Sequence, residues 1–224
     1  GVAPYTKLCQ EQFLAGLYLP TTTADTSTAL TACGERRIEL RITANSLSTR
    51  GLNRMWIEGM AINIPSSVLE KNADGMVAFT RMTKGRLTNG DTVTIDDMPS
   101  EGIEVHINGV SMGKIRRAPD LFNMLLSTWI GSVPLSSDFR SLVMAGGNVS
   151  AETLARFRAT TPTPERVAAV EAWSAPKAEP AKPAVVAKVE PAKPSPKVST
   201  PKVSAPSVAS PTVAAPTLAS APAV

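Results

Sequence analysis

The sequence predicts an α+β fold with an antiparallel sheet, followed by a low-complexity tail. Residues 37–43 alternate strictly between polar and apolar side chains, as in a strand with one buried face. The pair Asn108-Gly109 separates two further alternating runs, which is the pattern of a tight β-hairpin. Helical apolar spacing appears between and after these strands, and strands and helices in separate blocks are typical of α+β domains.

The predicted elements follow in chain order. The predicted strands are 8–19, 37–43, 92–98, 102–108 and 110–115. The predicted helices are 51–64, 66–72, 75–84, 121–131, 138–145, 150–159 and 164–173. The threonine-rich run 21–28 is expected to be a loop.

Capping residues and prolines indicate where these helices begin and end. Serines at 66–67, 136–137 and 150 suit the N-cap, where a hydroxyl accepts a hydrogen bond from the first turn. Pro65 ends the helix 51–64. Pro119 and Pro164 lie at helix starts, where the missing N–H is not needed. The sequence therefore predicts a domain over 1–147 and a helical extension over 148–173.

Residues 174–224 form a tail rich in Pro, Ala, Lys, Ser and Val. The tail contains 11 of the 19 prolines and no aromatic residue. It cannot bury enough apolar surface to offset the entropy of ordering, so we expect a disordered, extended spacer. The whole net charge of +4 belongs to the tail, because the 17 basic and 17 acidic residues before it cancel. Its lysines are 177, 182, 188, 193, 197 and 202.

This composition limits the partners of the tail. Dispersed lysines on an extended spacer suit contact with an anionic cell-wall polymer. They do not suit nucleic-acid binding, since no aromatic side chain offers a stacking surface for bases.

Several classes of site are excluded or left open by residue counts. No apolar run is long enough for a membrane span. The sequence contains two cysteines and one histidine, His106, which are too few to predict a metal site. It contains no glycine-rich phosphate-binding loop, so it predicts no cofactor.

The two cysteines and the start of the chain bear on its compartment. Cys9 and Cys33 are either joined in a disulfide, in an oxidising compartment, or are two thiols. A chain starting at Gly1 fits either a mature periplasmic or secreted protein whose signal peptide was removed or a trimmed fragment.

Three segments resemble the bacterial chalcone-isomerase-like family. They are FLAGLYLP, RRIELRITANSLSTRGLNRMWIEGMAIN and LFNMLLSTWIGSVPLSSDFRSLVM, and the resemblance covers residues 1–144. It implies an open-faced sandwich, in which helices pack on one face of a large antiparallel sheet. Plant members close the chalcone ring, related members bind fatty acids in the same cleft, and bacterial members usually carry a signal peptide.

The resemblance also implies that the isomerase activity is absent. The family's arginine, threonine, tyrosine, lysine and asparagine fall on positions without those polar groups: Ala3, Phe13, Leu52, Met55 and Gly59. Ring closure needs donors that stabilise a developing oxyanion, and these side chains supply none.

Ligand binding remains open, with candidate residues Tyr18, Arg41, Arg54 and Trp56. An arginine at 41, 50 or 54, with Tyr18 nearby, could replace the family's carboxylate anchor. The alternative is that these arginines are solvated surface residues. Trp56 either lines a pocket or fills the core.

Two functions follow from these observations. The first is a non-enzymatic structural or interaction protein of the bacterial cell envelope. Its domain would dock onto other envelope proteins or onto itself, and its tail would act as a spacer or tether. The second is a carrier of a fatty acid or another small apolar ligand.

Overall fold

The computed structural model describes residues 1–174 of the chain. The strands are β1 (Val2–Lys7), β2 (Gln10–Tyr18), β3 (Arg36–Ile42), β4 (Leu47–Ser48), β5 (Arg86–Leu87), β6 (Thr92–Met98), β7 (Gly102–Ile107) and β8 (Val110–Ile115). The helices are α1 (Thr26–Thr31), α2 (Thr49–Asn63), α3 (Ser66–Lys71), α4 (Ala73–Met82), α5 (Leu121–Ile130), α6 (Ser137–Val143), α7 (Ala151–Ala159) and α8 (Pro164–Ser174). The tail predicted for 174–224 lies outside the described residues, except for Ser174.

Six strands form one antiparallel sheet in the order β1-β2-β3-β6-β7-β8. The helices α2, α3 and α4 are inserted between β3 and β6, and the short pair β4-β5 flanks this insertion. The predicted α+β class with an antiparallel sheet is confirmed.

The sheet has a core face and a second face. Ile38, Leu40 and Ile42 of β3 are fully buried on the core face, as the alternation predicts. This face joins α2, α4, α5 and α6 in one apolar cluster. On the second face, α7 covers Leu14 of β2 with the buried side chain of Phe157. Helices therefore pack on one face within 1–144, and α7 adds cover to the other face.

The hairpin between β7 and β8 follows the Asn-Gly prediction. Asn108 and Gly109 have φ angles of 52° and 78°, so both occupy the left-handed region that a type I′ turn requires. The Asn108 amide also accepts from the Thr92 N–H and donates to Asp91, both at 2.8 Å.

Three local predictions need correction. The strand predicted for residues 8–19 is β2, but it begins at Gln10, because Leu8 and Cys9 form the β1–β2 turn. The threonine-rich run is not all loop. Asp25 caps α1 by accepting from the Thr28 N–H at 2.7 Å. The serines at 66–67 do not cap α3, since its N-cap is Pro65 and no side chain caps it.

The helical extension after residue 147 joins the main core. Val170 of α8 is fully buried within the cluster that the sheet and α2 form. Arg166 of α8 donates to both carboxylate oxygens of Asp91, at 3.0 and 2.7 Å. No helix of residues 1–174 is long and apolar enough to cross a membrane.

Candidate ligand-binding groove

A groove of about 430 Å³ lies between β1, α2 and the loop that joins α5 to α6. We call it the α2 groove, because α2 contributes one side along its whole length. Its lining runs from Arg50 at the start of α2 to Ile62 near the end. The twelve rises between residues 50 and 62 of the helix span about 18 Å. The groove is therefore long enough for an elongated molecule.

The α2 side of the groove changes character along its length. Arg50 and Arg54 lie near its start, one helical turn apart, and both are exposed. Glu58 follows one turn later, 4.0 Å from Arg54. The exposed aliphatic side chain of Ile62 lies near the end. The groove thus has a cationic end and an apolar end.

The floor of the groove is formed where α2 crosses α5. A Cβ atom at Gly59 would overlap the side chain of Thr128, so the two helices approach closely only because residue 59 is glycine. Thr128 is 1% exposed. Among residues 1–174, its hydroxyl has no hydrogen-bond partner.

The apolar end is held in place by Asn63. Its amide donates to the Val133 carbonyl at 2.9 Å and accepts from the Val133 N–H at 2.8 Å. These two bonds tie the α5–α6 loop to the end of α2. They fix the wall formed by Val133, Pro134 and Leu135.

The β1 side of the groove contributes an aromatic ring and a cation. Tyr5 stacks on Phe13 with ring centroids 4.8 Å apart and meets Phe139 edge-on at 6.0 Å. Burial raises the pKa of Tyr5 above its ordinary value. Lys7 lines the cationic end beside Arg50 and Arg54.

Two of the four predicted ligand-binding residues lie on the groove side of the sheet. Arg54 lines the groove, with a side chain that is 71% exposed. Trp56 is 1% exposed and stacks on Trp129 with ring centroids 5.7 Å apart. Trp56 therefore fills the core instead of lining a pocket.

The other two, Tyr18 and Arg41, lie on the second face of the sheet. The Tyr18 hydroxyl donates to Glu39 at 2.9 Å. Arg41 donates to Glu39 at 2.8 Å and to the Thr160 carbonyl at 2.7 Å, and its guanidinium lies over the Phe157 ring. Burial and the neighbouring Glu39 raise the pKa of Tyr18 to about 12.

The structure therefore does not bring the four residues into one site. Strand alternation is the physical reason, because Leu17 and Leu40 point into the core and their neighbours Tyr18 and Arg41 must point away from it.

The pairing of Cys9 with Cys33 is not formed. Both thiols are free and exposed. Cys9 lies at the β1–β2 turn, whereas Cys33 precedes β3 at the opposite end of β2. Nine residues of strand separate these ends by about 27 Å, and a disulfide needs Cα atoms within about 7 Å.

The family's polar positions divide between the core and the groove. Ala3, Phe13 and Leu52 are buried in the apolar core. Met55 and Gly59 line the groove and present no hydroxyl, amide or charge to it. Among residues 1–174, no cluster of His, Cys, Asp and Glu is arranged to hold a metal ion.

Sequence reasoning missed Tyr5, Lys7, Thr128 and residues 133–135 as parts of one site. The i, i+4 spacing of Arg50 and Arg54 could have indicated the α2 side. No local signal joins β1 and the α5–α6 loop to that helix face, since they meet only in the folded chain.

The chain is similar to a solved structure and to a known protein family. Among solved structures, a fatty-acid-binding protein of Arabidopsis thaliana is similar at 18% identity and a TM-score of 0.46. The alignment covers 64% of this chain and 83% of the Arabidopsis chain. No curated protein matches the sequence. Residues 1–144, more than half of the chain, match the family described as chalcone isomerase-like. The chain belongs to the chalcone isomerase-like family.

Proposed function

We propose that this protein is a non-catalytic binding protein for a small amphipathic anion, such as a long-chain carboxylate, held in the α2 groove. The observation that carries the proposal is the polarity of the groove: a cationic end at Lys7, Arg50 and Arg54 and an apolar end at Ile62 and Val133. A volume of about 430 Å³ is within the range of small-molecule sites.

The cationic end favours an anionic group. The lining contains three basic side chains and one carboxylate, that of Glu58. Among residues 1–174, neither Lys7 nor Arg50 forms an ion pair. A guanidinium can offer two parallel N–H donors to a carboxylate, which gives both strength and orientation.

The other end favours an aliphatic chain. Ile62 is 62% exposed and Val133 is 52% exposed, although both line a concave surface. Covering such surface contributes about 25 cal/mol per Å². Met55, between the two ends, is unbranched and adapts to an irregular chain.

The side chains that line the α2 groove suit the binding of a ligand and do not suit catalysis. Ring closure requires groups that move a proton and stabilise an oxyanion. The family's positions for these groups carry Ala3, Phe13, Leu52, Met55 and Gly59, which do neither.

Titration calorimetry tests the proposal with a matched pair of ligands, dodecanoate and dodecanol. We expect saturable binding of dodecanoate. The double variant Arg50→Gln/Arg54→Gln should weaken dodecanoate binding about tenfold or more, since a hydrogen bond to a charged group contributes about 1.5–3 kcal/mol. The same variant should leave dodecanol binding within about twofold.

Arg81→Gln, on the exposed side of α4, is the control for the loss of positive charge. Absence of saturable dodecanoate binding would contradict the proposal. An equal loss for the acid and the alcohol would show that the arginines do not recognise the anionic group.

We propose a second function, as an interaction protein of a bacterial cell envelope, periplasmic or secreted, with the tail as its spacer or tether. Its support is the packed core. Trp56 and Trp129 stack at the centre of the space between sheet and helices, where a carrier would enclose its ligand. The lysines of the tail suit an anionic polymer. Native mass spectrometry of the protein from its source tests this function: a discrete complex supports it, and a ligand-bound monomer argues against it.

A further inference from the structure

The turn between β1 and β2 combines backbone strain with an exposed leucine. Leu8 and Cys9 have φ angles of 51° and 61°, a region that costs a non-glycine residue roughly 1–3 kcal/mol. The same turn geometry at the other hairpin is occupied by Asn108 and Gly109, which tolerate it. Local stability therefore does not explain a leucine at position 8. Its side chain is 89% exposed.

Several basic side chains lie at the same end of the sheet as this hairpin tip, which we define as Leu8 and Cys9. Lys7 immediately precedes the tip and lines the same groove as Arg50 and Arg54. The tip and the start of α2 lie at the same end of the sheet, because the loop from β3 to α2 donates two backbone hydrogen bonds to the Gln12 carbonyl near the tip. Exposed Arg86 is also at this end, where it donates to Ser46 just before α2. Glu11, the acidic residue nearest the tip in sequence, forms an ion pair with Arg156. One apolar side chain thus projects at an end of the sheet that carries basic side chains.

We propose that the hairpin tip docks on an anionic lipid bilayer. Leu8 enters the boundary between headgroups and acyl chains, and Lys7, Arg50 and Arg54 contact the anionic headgroups. Peripheral proteins bind bilayers with this combination of inserted apolar side chains and adjacent basic residues. Docking goes beyond the proposed function, because it requires no ligand in the groove.

A protein partner suits the tip less well. A stable protein interface buries about 800 Å² on each side around an apolar centre. The neighbours of Leu8 along the hairpin, Thr6, Lys7 and Gln10, are exposed and polar or charged. A bilayer needs no such continuous apolar patch, since a single side chain can insert among lipids. Docking would also bring the cationic end of the groove to the headgroup layer.

Vesicle co-sedimentation of the full chain tests the proposal. Vesicles of phosphatidylcholine with an equal share of phosphatidylglycerol are compared with vesicles of phosphatidylcholine alone. The double variant Leu8→Asn/Cys9→Gly installs the residues preferred by this turn, so its unfolding free energy should not fall. Its partition onto the anionic vesicles should drop about tenfold, as expected for the loss of one inserted leucine. Lys7→Gln should lower that partition about fivefold.

Val77→Gln is the matched control, since Val77 is an exposed aliphatic residue on α4, near β8 and away from the tip. It should leave the partition unchanged. All variants keep the lysine-rich tail, so its contribution cancels in each comparison. Dodecanoate binding without vesicles should be the same in Leu8→Asn/Cys9→Gly and the unaltered chain, which separates this proposal from the groove ligand.

Two results would overturn membrane docking. The first is equal partition of the unaltered chain and Leu8→Asn/Cys9→Gly on anionic vesicles. The second is self-association of the unaltered chain that this variant abolishes while its vesicle partition is retained, since the tip would then contact a second copy.

Discussion

At the scale of single residues, Gly59 decides both the helix packing and the chemistry of the groove. Thr128 occupies the space that a side chain at position 59 would need. The family's asparagine falls on this position, so an amide there would push α5 away from α2. The glycine that leaves this position without a polar group is therefore also the residue that allows α2 and α5 to cross closely.

We expect Gly59→Ala to lower the free energy of unfolding by about 2 kcal/mol, although alanine favours helix by about 1 kcal/mol. The cause is overlap of the new Cβ atom with Thr128, whose Oγ1 would lie 2.7 Å away. Chemical denaturation measures the effect. Gly51→Ala, whose Cβ would meet only Ser48 Oγ at 3.2 Å, should not destabilise the protein, because the helix preference of alanine offsets this contact.

A double-mutant cycle identifies the partner. Gly59→Ala should cost less in a Thr128→Ala background, because the overlapping methyl and hydroxyl groups are gone. An unchanged cost in that background would mean that Thr128 is not the obstacle.

At the scale of secondary-structure elements, α7 depends on one aromatic side chain. Phe157 is 3% exposed and packs with Val2 and Leu14 on the second face of the sheet. Its ring also lies under the Arg41 guanidinium, 4.7 Å from the ring centroid. Gly16 of β2 leaves the room for it, since a Cβ there would approach the ring to 2.8 Å.

Phe157→Ala should destabilise the protein by about 3 kcal/mol, the usual cost of removing a buried phenylalanine. Hydrogen exchange of the amides in α7 should rise more than exchange in β6, because the anchor of the helix is lost. Arg158→Ala, at the next and exposed position, is the matched control and should be nearly neutral. Equal changes in α7 and β6 would contradict an anchoring role specific to α7.

At the scale of the whole molecule, residues 148–174 connect the two faces of the sheet. Phe157 of α7 lies on the second face, whereas Val170 of α8 lies in the core cluster. Between them, Arg166 holds the fully buried Asp91 at the start of β6. Burial alone would raise the pKa of Asp91. The hydrogen bonds from Arg166, Asn108 and the Thr88 N–H outweigh it and lower that pKa below its usual value.

This lowered pKa makes part of the stability dependent on pH. The Asp91 carboxylate stabilises the fold above its unfolded pKa of about 3.9, and this contribution disappears as pH falls through the lower folded pKa. Asp91→Asn should therefore lower the free energy of unfolding by about 2 kcal/mol at neutral pH. This is less than the cost of breaking a fully buried ion pair, because Arg166 is partly exposed. The cost should shrink as pH falls below about 4.

Denaturation at several pH values measures this dependence. Arg166→Gln should reduce this pH-dependent part, because Asn108 and the Thr88 N–H still lower the pKa of Asp91, whereas Glu171→Gln, exposed on the same helix, should not change it. A cost of Asp91→Asn that stays constant down to strongly acidic pH would contradict the assignment.

By itself, the sequence determined the features that depend on local periodicity and composition. The alternation in β3 predicted which of its side chains are buried, and Asn108-Gly109 predicted the β7–β8 turn, because a period of two and a left-handed Asn-Gly pair are local properties. The apolar spacing of α2 predicted this helix and Pro65 marked its end, whereas the place of Trp56, in a pocket or in the core, was left open. The antiparallel α+β class followed from these elements.

Only the tertiary structure decided which distant residues share a surface. The α2 groove joins Lys7, Arg50 and Val133, which are far apart in sequence and adjacent only after the strands and helices pack. The same long-range packing placed α7 over Arg41, on the face of the sheet that strand alternation turns away from the groove. The Leu8-Cys9 turn also escaped prediction, since neither residue prefers a positive φ and only the pairing of β1 with β2 imposes it.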